Sequence, residues 1–377
     1  MVMKKMKILV VFALTLIVLG SFMGCSFRVT PRGWYATGVP TPDPMQISSR
    51  IVSVSSTFAI TEDGQLWSWP GYENRPARHP LFDDVIAISV GGGHRMVIAS
   101  DGTLWGWGSN DYGQVGTGRT GRNARIYPAT KIMEDVIAVS AGSNFTMAIT
   151  SDNALWGWGN NAWGKLGDET TNNRHSPVKI MEDVIAVSAG SNRTVAITSD
   201  NILWGWGRSM ALLENETRKD SHTPIRLMED VISACVCGNS LLTITSDNVL
   251  RSSADSEPIM EGVIAVCGTR DRTMAITSDN VLWGWGRNTV GAMVGMLGDG
   301  TFRDSSEPIK IMENVVAIFS GSSTFAITSD GSLWAWGNHT DNQLGIGTDR
   351  GEYEADFGIL HKAWLSPVLM MEYVPEG

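Results

Sequence analysis

No histidine in this chain is spaced to hold a metal. The six, His79, His94, His175, His222, His339 and His361, make no H-x-H or H-E-x-x-H pattern. There is no G-x-S-x-G nucleophile turn and no phosphate-cradling G-x-x-x-x-G-K-[ST], so acyl transfer and P-loop chemistry have no residues to stand on. Helical periodicity is missing, which excludes a bundle. Basic residues are scarce: Lys and Arg number 29 against 39 Asp and Glu, for a net charge of −10. Phosphate binding needs a basic surface, so nucleic acid is not an expected partner. Only one apolar run, residues 8–20, is conspicuous, and it is short of the roughly 20 residues that span a bilayer. Neither a catalytic residue, nor a metal, nor a cofactor is expected.

What the chain does have is repetition. Residues 180–206 read IMEDVIAVSAGSNRTVAITSDNILWGW, and 180–192 recur unchanged at 132–144. The A-I-T-S-D-N-x-L-W-G-W half recurs with drift, marked by Asp63, Asp101, Asp152, Asp200, Asp247, Asp279 and Asp330. Seven units follow, at spacings of 38, 51, 48, 47, 32 and 51 residues. A period in this range means a solenoid, propeller or array.

Within a unit, V-I-A-V-S-A-G and T-V-A-I-T-S are β-branched, apolar runs. The Asp-Asn or Asp-Gly after them predicts a two-residue type I′ hairpin turn. Leu203-Trp-Gly-Trp-Gly alternates, putting Trp204 and Trp206 on one face. A run after proline, such as 177–181, supplies a fourth strand. Four short strands, apolar on both faces, need neighbours on both sides. Seven such sheets stacked radially supply them, so the fold class expected is all-β, a seven-bladed β-propeller of four-stranded antiparallel blades. Twelve of the fifteen tryptophans fall in W-x-W pairs and are assigned to packing between blades. The aspartates of S-D-N and the glycine-rich stretch 159–167 are read as turn devices.

The V-x-A-V-x-x-G, A-I-T-S-D-G-x-L-W-x-W-G and W-G-x-N-x-x-G-x-L-G elements resemble the regulator-of-chromosome-condensation repeat family. The last element is clearest at 107–116, 158–167 and 336–345. The resemblance covers roughly residues 50–372 and implies a seven-bladed propeller. Units four and five depart from it by lacking the G-x-x-x-x-G-x-L-G element, and unit five has Leu250-Arg251-Ser252-Ser253 in place of Leu-Trp-Gly-Trp. The fifth blade should therefore be the smallest, with a thin outer edge. The family includes a nucleotide-exchange factor for a nuclear GTPase, chromatin binders, and a secreted bacterial inhibitor that holds a beta-lactamase on one propeller face.

Residues 1–24 carry three lysines, then the apolar run, then small or apolar residues before Cys25. This reads as a secretory signal peptide. Cys25 directly after Gly24 suggests lipid attachment, with residues 25–49 as a proline-containing tether and 50–377 as the propeller. Cleavage leaves 26 basic residues against 39 acidic, a net of −13. The expected location is outside the cytoplasm, on the membrane of the cell envelope. Of the other cysteines, Cys235 and Cys237 lie two apart and Cys267 sits on the equivalent strand of the next unit. One of the first pair meets Cys267 in a disulfide, or all three replace small residues of V-S-A-G. C-x-C with one distant partner lacks a fourth ligand for zinc.

Strand direction sorts the loops. The S-D-N and M-E-D turns share one face, monotonous and acidic. The G-S-N turns and the long loops after W-x-W-G share the other, which varies as a binding surface on a repeat scaffold should. The residue before the second strand reads Ser56, Arg95, Phe145, Arg193, Ser240, Arg272 and Ser323, all expected at exposed turns. The long loops add Tyr112, Trp163, Phe302, Tyr353, Phe357 and Trp364. Arginine and aromatics are enriched in interface hot spots, so Arg95, Phe145, Arg193, Arg272, Tyr112, Trp163, Phe302 and Trp364 are the binding candidates. The function expected is recognition of a protein partner, acidic in character, without turnover. Inhibition of an extracytoplasmic enzyme such as a beta-lactamase is the alternative, and an envelope glycan-acting enzyme a second. The last would need convergent carboxylates where Ser, Ala, Gly and Cys stand.

Overall fold

The computed structural model describes residues 44–69, 76–79, 82–210, 219–238, 240–253, 257–269, 271–290, 293–321, 323–338, 344, 346, 352–354 and 360–375. The expected signal peptide, Cys25 and the first part of the expected tether lie outside the described residues. Seven β-sheets follow one another along the chain, and the helical content among the described residues is one 3-10 turn, Ala162–Gly164. The fold is an all-β, seven-bladed propeller. The third blade shows the pattern: Val136–Ala141, Phe145–Thr150, Leu155–Gly159 and Arg174–Met181 pair antiparallel in sequence order.

Two blades depart from it. The fifth has Val231–Cys237, Ser240–Thr245 and Leu250–Ser252, and its outer strand shrinks to a bridge between Leu250 and Met260. That matches the 32-residue spacing there. The seventh takes the carboxyl-terminal strand Leu360–Tyr373 as its fourth, and Met45–Ile47 pairs with that strand in parallel. The two ends of the described chain thus meet in one sheet.

The S-D-N turn is a three-residue loop rather than the two-residue type I′ turn expected. Asn153 N–H donates to Thr150 O at 2.8 Å, Thr150 N–H to Ala154 O at 3.0 Å, and only Asn153 has a positive φ, 63°. A type I turn closed by one left-handed residue has this form. The aspartate decides it, because Asp152 accepts the Thr150 hydroxyl at 2.6 Å and so caps the strand it leaves. The same hydroxyl accepts the Trp156 indole N–H at 3.2 Å. Thr198, Asp200 and Trp204 repeat the arrangement, as do Thr277, Asp279 and Trp283, and Thr328, Asp330 and Trp334. The hydroxyl bond holds Asp152, Asp200 and Asp279 below the usual carboxylate range. These aspartates are occupied as turn residues.

By internal contacts the described chain forms two units. One holds residues 63–66 and 79–270; the other holds 44–62, 67–78 and 271–377. In the first unit two ladders join consecutive blades. The left-handed turn residue of each blade accepts from the first strand of the next, as in Val136 N–H to Gly102 O and Val184 N–H to Asn153 O, both 2.9 Å. Nearer the other face, a serine of each first strand accepts from the next first strand: Ala141 N–H to Ser89 Oγ, Ala189 N–H to Ser140 Oγ and Val236 N–H to Ser188 Oγ. Between the ladders lies the apolar filling. One cluster joins Met96, Ile98 and Leu104 of the second blade to Val136, Ala148 and Trp158 of the third. In the second unit, Ile51 N–H donates to Gly331 O at 3.0 Å and Val315 N–H to Asn280 O at 2.9 Å, the same rung between blades seven and one and blades six and seven.

Candidate functional site

The long loops of the first unit are built around a buried asparagine. Asn161, fully buried, accepts Leu166 N–H at 2.9 Å and donates to Asp168 Oδ1 at 2.7 Å and Thr170 O at 3.0 Å. Asn110 does the same in the second blade, accepting Val115 N–H and donating to Arg119 O. One amide side chain thereby ties both limbs of a loop that has no ladder of its own. Glycines let the loop lie on the next blade. Gly164 has φ 68°, and a Cβ there would stand 2.6 Å from His222 Cα. Gly167, at φ 84°, is pressed to 2.7 Å from Trp206 Nε1 by the same measure. The W-G-x-N-x-x-G-x-L-G element is therefore a docking device between blades, with asparagine as pin and glycines as contact points.

What these loops present is aromatic and basic. Tyr112 and Trp163 occupy the same position of two successive loops and are 39% and 43% exposed. Trp163 adopts a left-handed backbone, φ 69°, which costs a residue with a Cβ about 1–2 kcal/mol. The Arg208 guanidinium lies 4.7 Å over its ring and holds it there. Arg119 and Arg122, on the Tyr112 loop, are exposed, as are Arg125 and Tyr127 (60%) on the strand Arg125–Met133 that follows it. Sequence reasoning passed over these four and Arg208. Their signal in the sequence is three arginines within seven residues on an acidic chain.

Several expected binding residues lie inside. Phe145 is fully buried in the core with Met147, Leu166 and Trp206. Arg193 is 9% exposed and Arg272 5%, so neither stands at an exposed turn. The register also corrects one position. The residue pairing with the glycine after W-x-W is His94 in blade two and Phe145, Arg193, Arg272 and Ser323 in blades three, four, six and seven. Arg95 is thus one residue beyond it, half-buried, with Nη1 on Gly93 O at 3.3 Å. In blade one the matching residue is Ser56, as expected, because Ser55 pairs with Phe58 as Ser89 pairs with Met96; Ser56 is a turn residue with φ 55°. The reason is common to all. This position opens the second strand and its side chain turns toward the neighbouring blade. His94 Nε2 meets Thr146 Oγ1 at 2.8 Å in blade three. Lys165, buried, caps the Phe145 ring at 5.0 Å and donates to Ser191 O at 3.1 Å in blade four. Burial pulls its amine down to about 8.

In the second unit, Arg272 donates from Nε to Ser320 Oγ at 3.1 Å and from Nη2 to Gly321 O, joining blade six to blade seven. Arg272→Ala should therefore cost about 1–3 kcal/mol of stability, the cost of losing charge-assisted hydrogen bonds to part-buried acceptors. Urea unfolding of the variant checks it; a change within about 0.5 kcal/mol, as at a surface position, would return Arg272 to the exposed rim. Phe302 is 42% exposed. Trp364 pairs through its backbone with Gly337, Tyr353 lies on the short strand Glu352–Glu354, and Phe357 is outside the described residues. On the opposite face the M-E-D turns carry exposed ion pairs, Lys131 with Glu134 and Lys179 with Glu182.

Among the described residues no group of His, Cys, Asp or Glu is placed to hold a metal ion. The family profile described as "RCC1-like domain" matches residues 70–370. The RCC1 domain-containing protein RUG3, mitochondrial, of Arabidopsis thaliana is 27% identical over 140 residues, 31% of this chain and 31% of its own length. The Protein RCC2 homolog of Danio rerio is 35% identical over 101 residues, 24% of this chain and 20% of its own length. The chain thus spans less than a third of either relative. Among solved structures, that of yeast RCC1 (Prp20) bound to Kap60 matches with a TM-score of 0.66 at 14% identity, covering 92% of this chain and 91% of that one. At that identity the likeness concerns the fold.

Proposed function

Because the chain belongs to the RCC1-like domain family, we propose that it is a protein-binding module, held at the bacterial cell envelope by lipid on Cys25, that grips its partner on the long-loop face. The observation that carries the reading is the pair Tyr112 and Trp163, exposed on loops whose asparagine pins leave them little freedom. Rigid aromatics bind with a small loss of side-chain entropy, which is why they dominate interface hot spots. Yeast RCC1 in complex with Kap60 is a protein of this fold with a protein partner. Recognition proceeds without turnover: the repeated aspartates are committed to their turns.

The partner suited to this face is acidic. Arg119, Arg122 and Arg125, which follow Tyr112 in the chain, and Arg208, which lies over Trp163, are exposed on a chain of net charge −10. Complementary charge speeds association and makes it salt-sensitive. The test is capture from the source organism's envelope fraction on the soluble portion, residues 26–377, beside the same portion with Tyr112→Ala and Trp163→Ala. The double change should weaken retention of the captured protein by about 1–4 kcal/mol, the range for hot-spot residues, with little change in thermal stability. Equal retention by both would place the partner elsewhere.

The amino-terminal part of the proposal is tested separately. No helix among the described residues is long and apolar enough to cross a membrane. If lipid alone holds the protein, Cys25→Ser should move it from the membrane to the soluble fraction while leaving its unfolding transition unchanged. Retention on membranes with the leader removed would require a second attachment.

A further inference from the structure

Cys235 and Cys237 lie on the first strand of blade five, two residues apart on one face, with their Sγ atoms 3.3 Å from each other. Neither thiol is where the repeat puts sulfur. In register, Cys235 replaces the serine of the inter-blade ladder, Ser89, Ser140 and Ser188 in blades two to four, and keeps its acceptor role toward the Gly268 backbone N–H. Cys237 follows where blade four has Gly190, and it is 3% exposed. Cys267 stands at the ladder position of blade six.

We propose that Cys235 and Cys237 form a reversible dithiol–disulfide site, oxidised by a hydroperoxide that reaches the half-buried Cys235. The two thiols differ in readiness. The bond from Cys237 and the Gly268 N–H draw Cys235 toward the thiolate, while bonding to Cys235, burial and nearby Cys267 push Cys237 up. A thiolate is the nucleophile and exposure governs its oxidation. Cys235 therefore attacks the peroxide O–O bond, becoming a sulfenic acid as the peroxide leaves as an alcohol or water. Cys237 sulfur then attacks the Cys235 sulfur; the S–O bond breaks, and the departing hydroxide takes the Cys237 thiol proton as water. Two thiols have lost two electrons, and the peroxide has gained them.

Strand geometry makes the bond reversible. Residues two apart on a strand lie about 6.6–6.8 Å apart at Cα, at the upper limit of the disulfide range of about 4.4–6.8 Å. Closure must bend the strand, and it can do so at its end, where Gly238 has φ 58°.

The test uses the purified full chain treated with hydrogen peroxide and read by intact mass and peptide fragmentation. The expected product has lost two hydrogens, carries the link within one peptide holding Cys235 and Cys237, and reverts with dithiothreitol. Cys237→Ser should stop at a dimedone-trapped sulfenic acid on Cys235; Cys267→Ser should leave the disulfide unchanged. Cys235→Ser restores the repeat's own residue, so it should fold and yield no disulfide. A link that includes Cys267, or thiols that resist peroxide when folded and react once unfolded in urea, would overturn the proposal.

Discussion

Trp158→Ala is expected to destabilise the protein by about 3–5 kcal/mol, the cost of deleting a buried aromatic side chain. Trp158 is fully buried between blades two and three, and its indole N–H donates to Gln114 O at 3.0 Å. Gly116 leaves room for it: a Cβ there would sit 2.7 Å from Trp158 Nε1. The loop side of the space cannot refill it, because the glycine has no side chain and the loop is pinned by Asn110. The cavity should therefore persist and keep the loss at the upper end. Urea unfolding measures it directly. Trp163→Ala supplies the contrast, since that ring is exposed and its loss should move the midpoint little. A similar small shift for both would mean that Trp158 is not a wedge between blades.

Acid should weaken the fold through His94. Its Nε2–H donates to Thr146 Oγ1, whose own hydroxyl proton goes to Gln114 O at 2.8 Å, so Nδ1 is the unprotonated nitrogen. That atom is buried without a hydrogen-bond partner. Burial, and then the charge of Arg95, lower the imidazole to about 4. With the folded value depressed below the unfolded one of about 6.5, the unfolded chain binds a proton that the native state refuses. The His94 contribution is thus intact above pH 6.5 and is lost as pH falls through about 4. A shift of this size corresponds to on the order of 3 kcal/mol between neutral pH and pH 4. His94→Phe, which installs the residue that blade three carries as Phe145, should flatten stability over that window. An unchanged acid slope in the variant would assign the loss to carboxylates.

Much of the fold is legible in the residues because the repeat advertises its parts. Asp-Asn, Trp-x-Trp and the first-strand glycine recur at fixed offsets, and each has one local use, so seven blades and the thin fifth one follow. The W-x-W tryptophans read correctly as packing for the same reason. The loop-rim residues did not, and the cause is register. A side chain that opens a strand points either out of the turn or across to the next blade, and a one-residue difference exchanges the two. The G-G-G-H-R sequence of blade two hides that difference: His94, not Arg95, is the residue aligned with Phe145. Arginine at such a position looks like a contact for a partner because its burial needs acceptors on another blade. Ser320 and Gly321, nearly fifty residues away from Arg272, cannot be paired with it by spacing. Tyr112 and Trp163 are legible as exposed because they sit between the pinning asparagine and a glycine, outside the strand ladder.

Site-specific photo-crosslinking tests the loop-face assignment most directly. A benzophenone side chain is placed at position 163 in one protein and at position 182, on the M-E-D face, in another, and both are irradiated in intact envelopes. One discrete crosslinked protein is expected from 163, diminished by Arg119→Ala with Arg122→Ala, and none from 182. A discrete product from 182 alone would contradict the assignment and turn the binding face over.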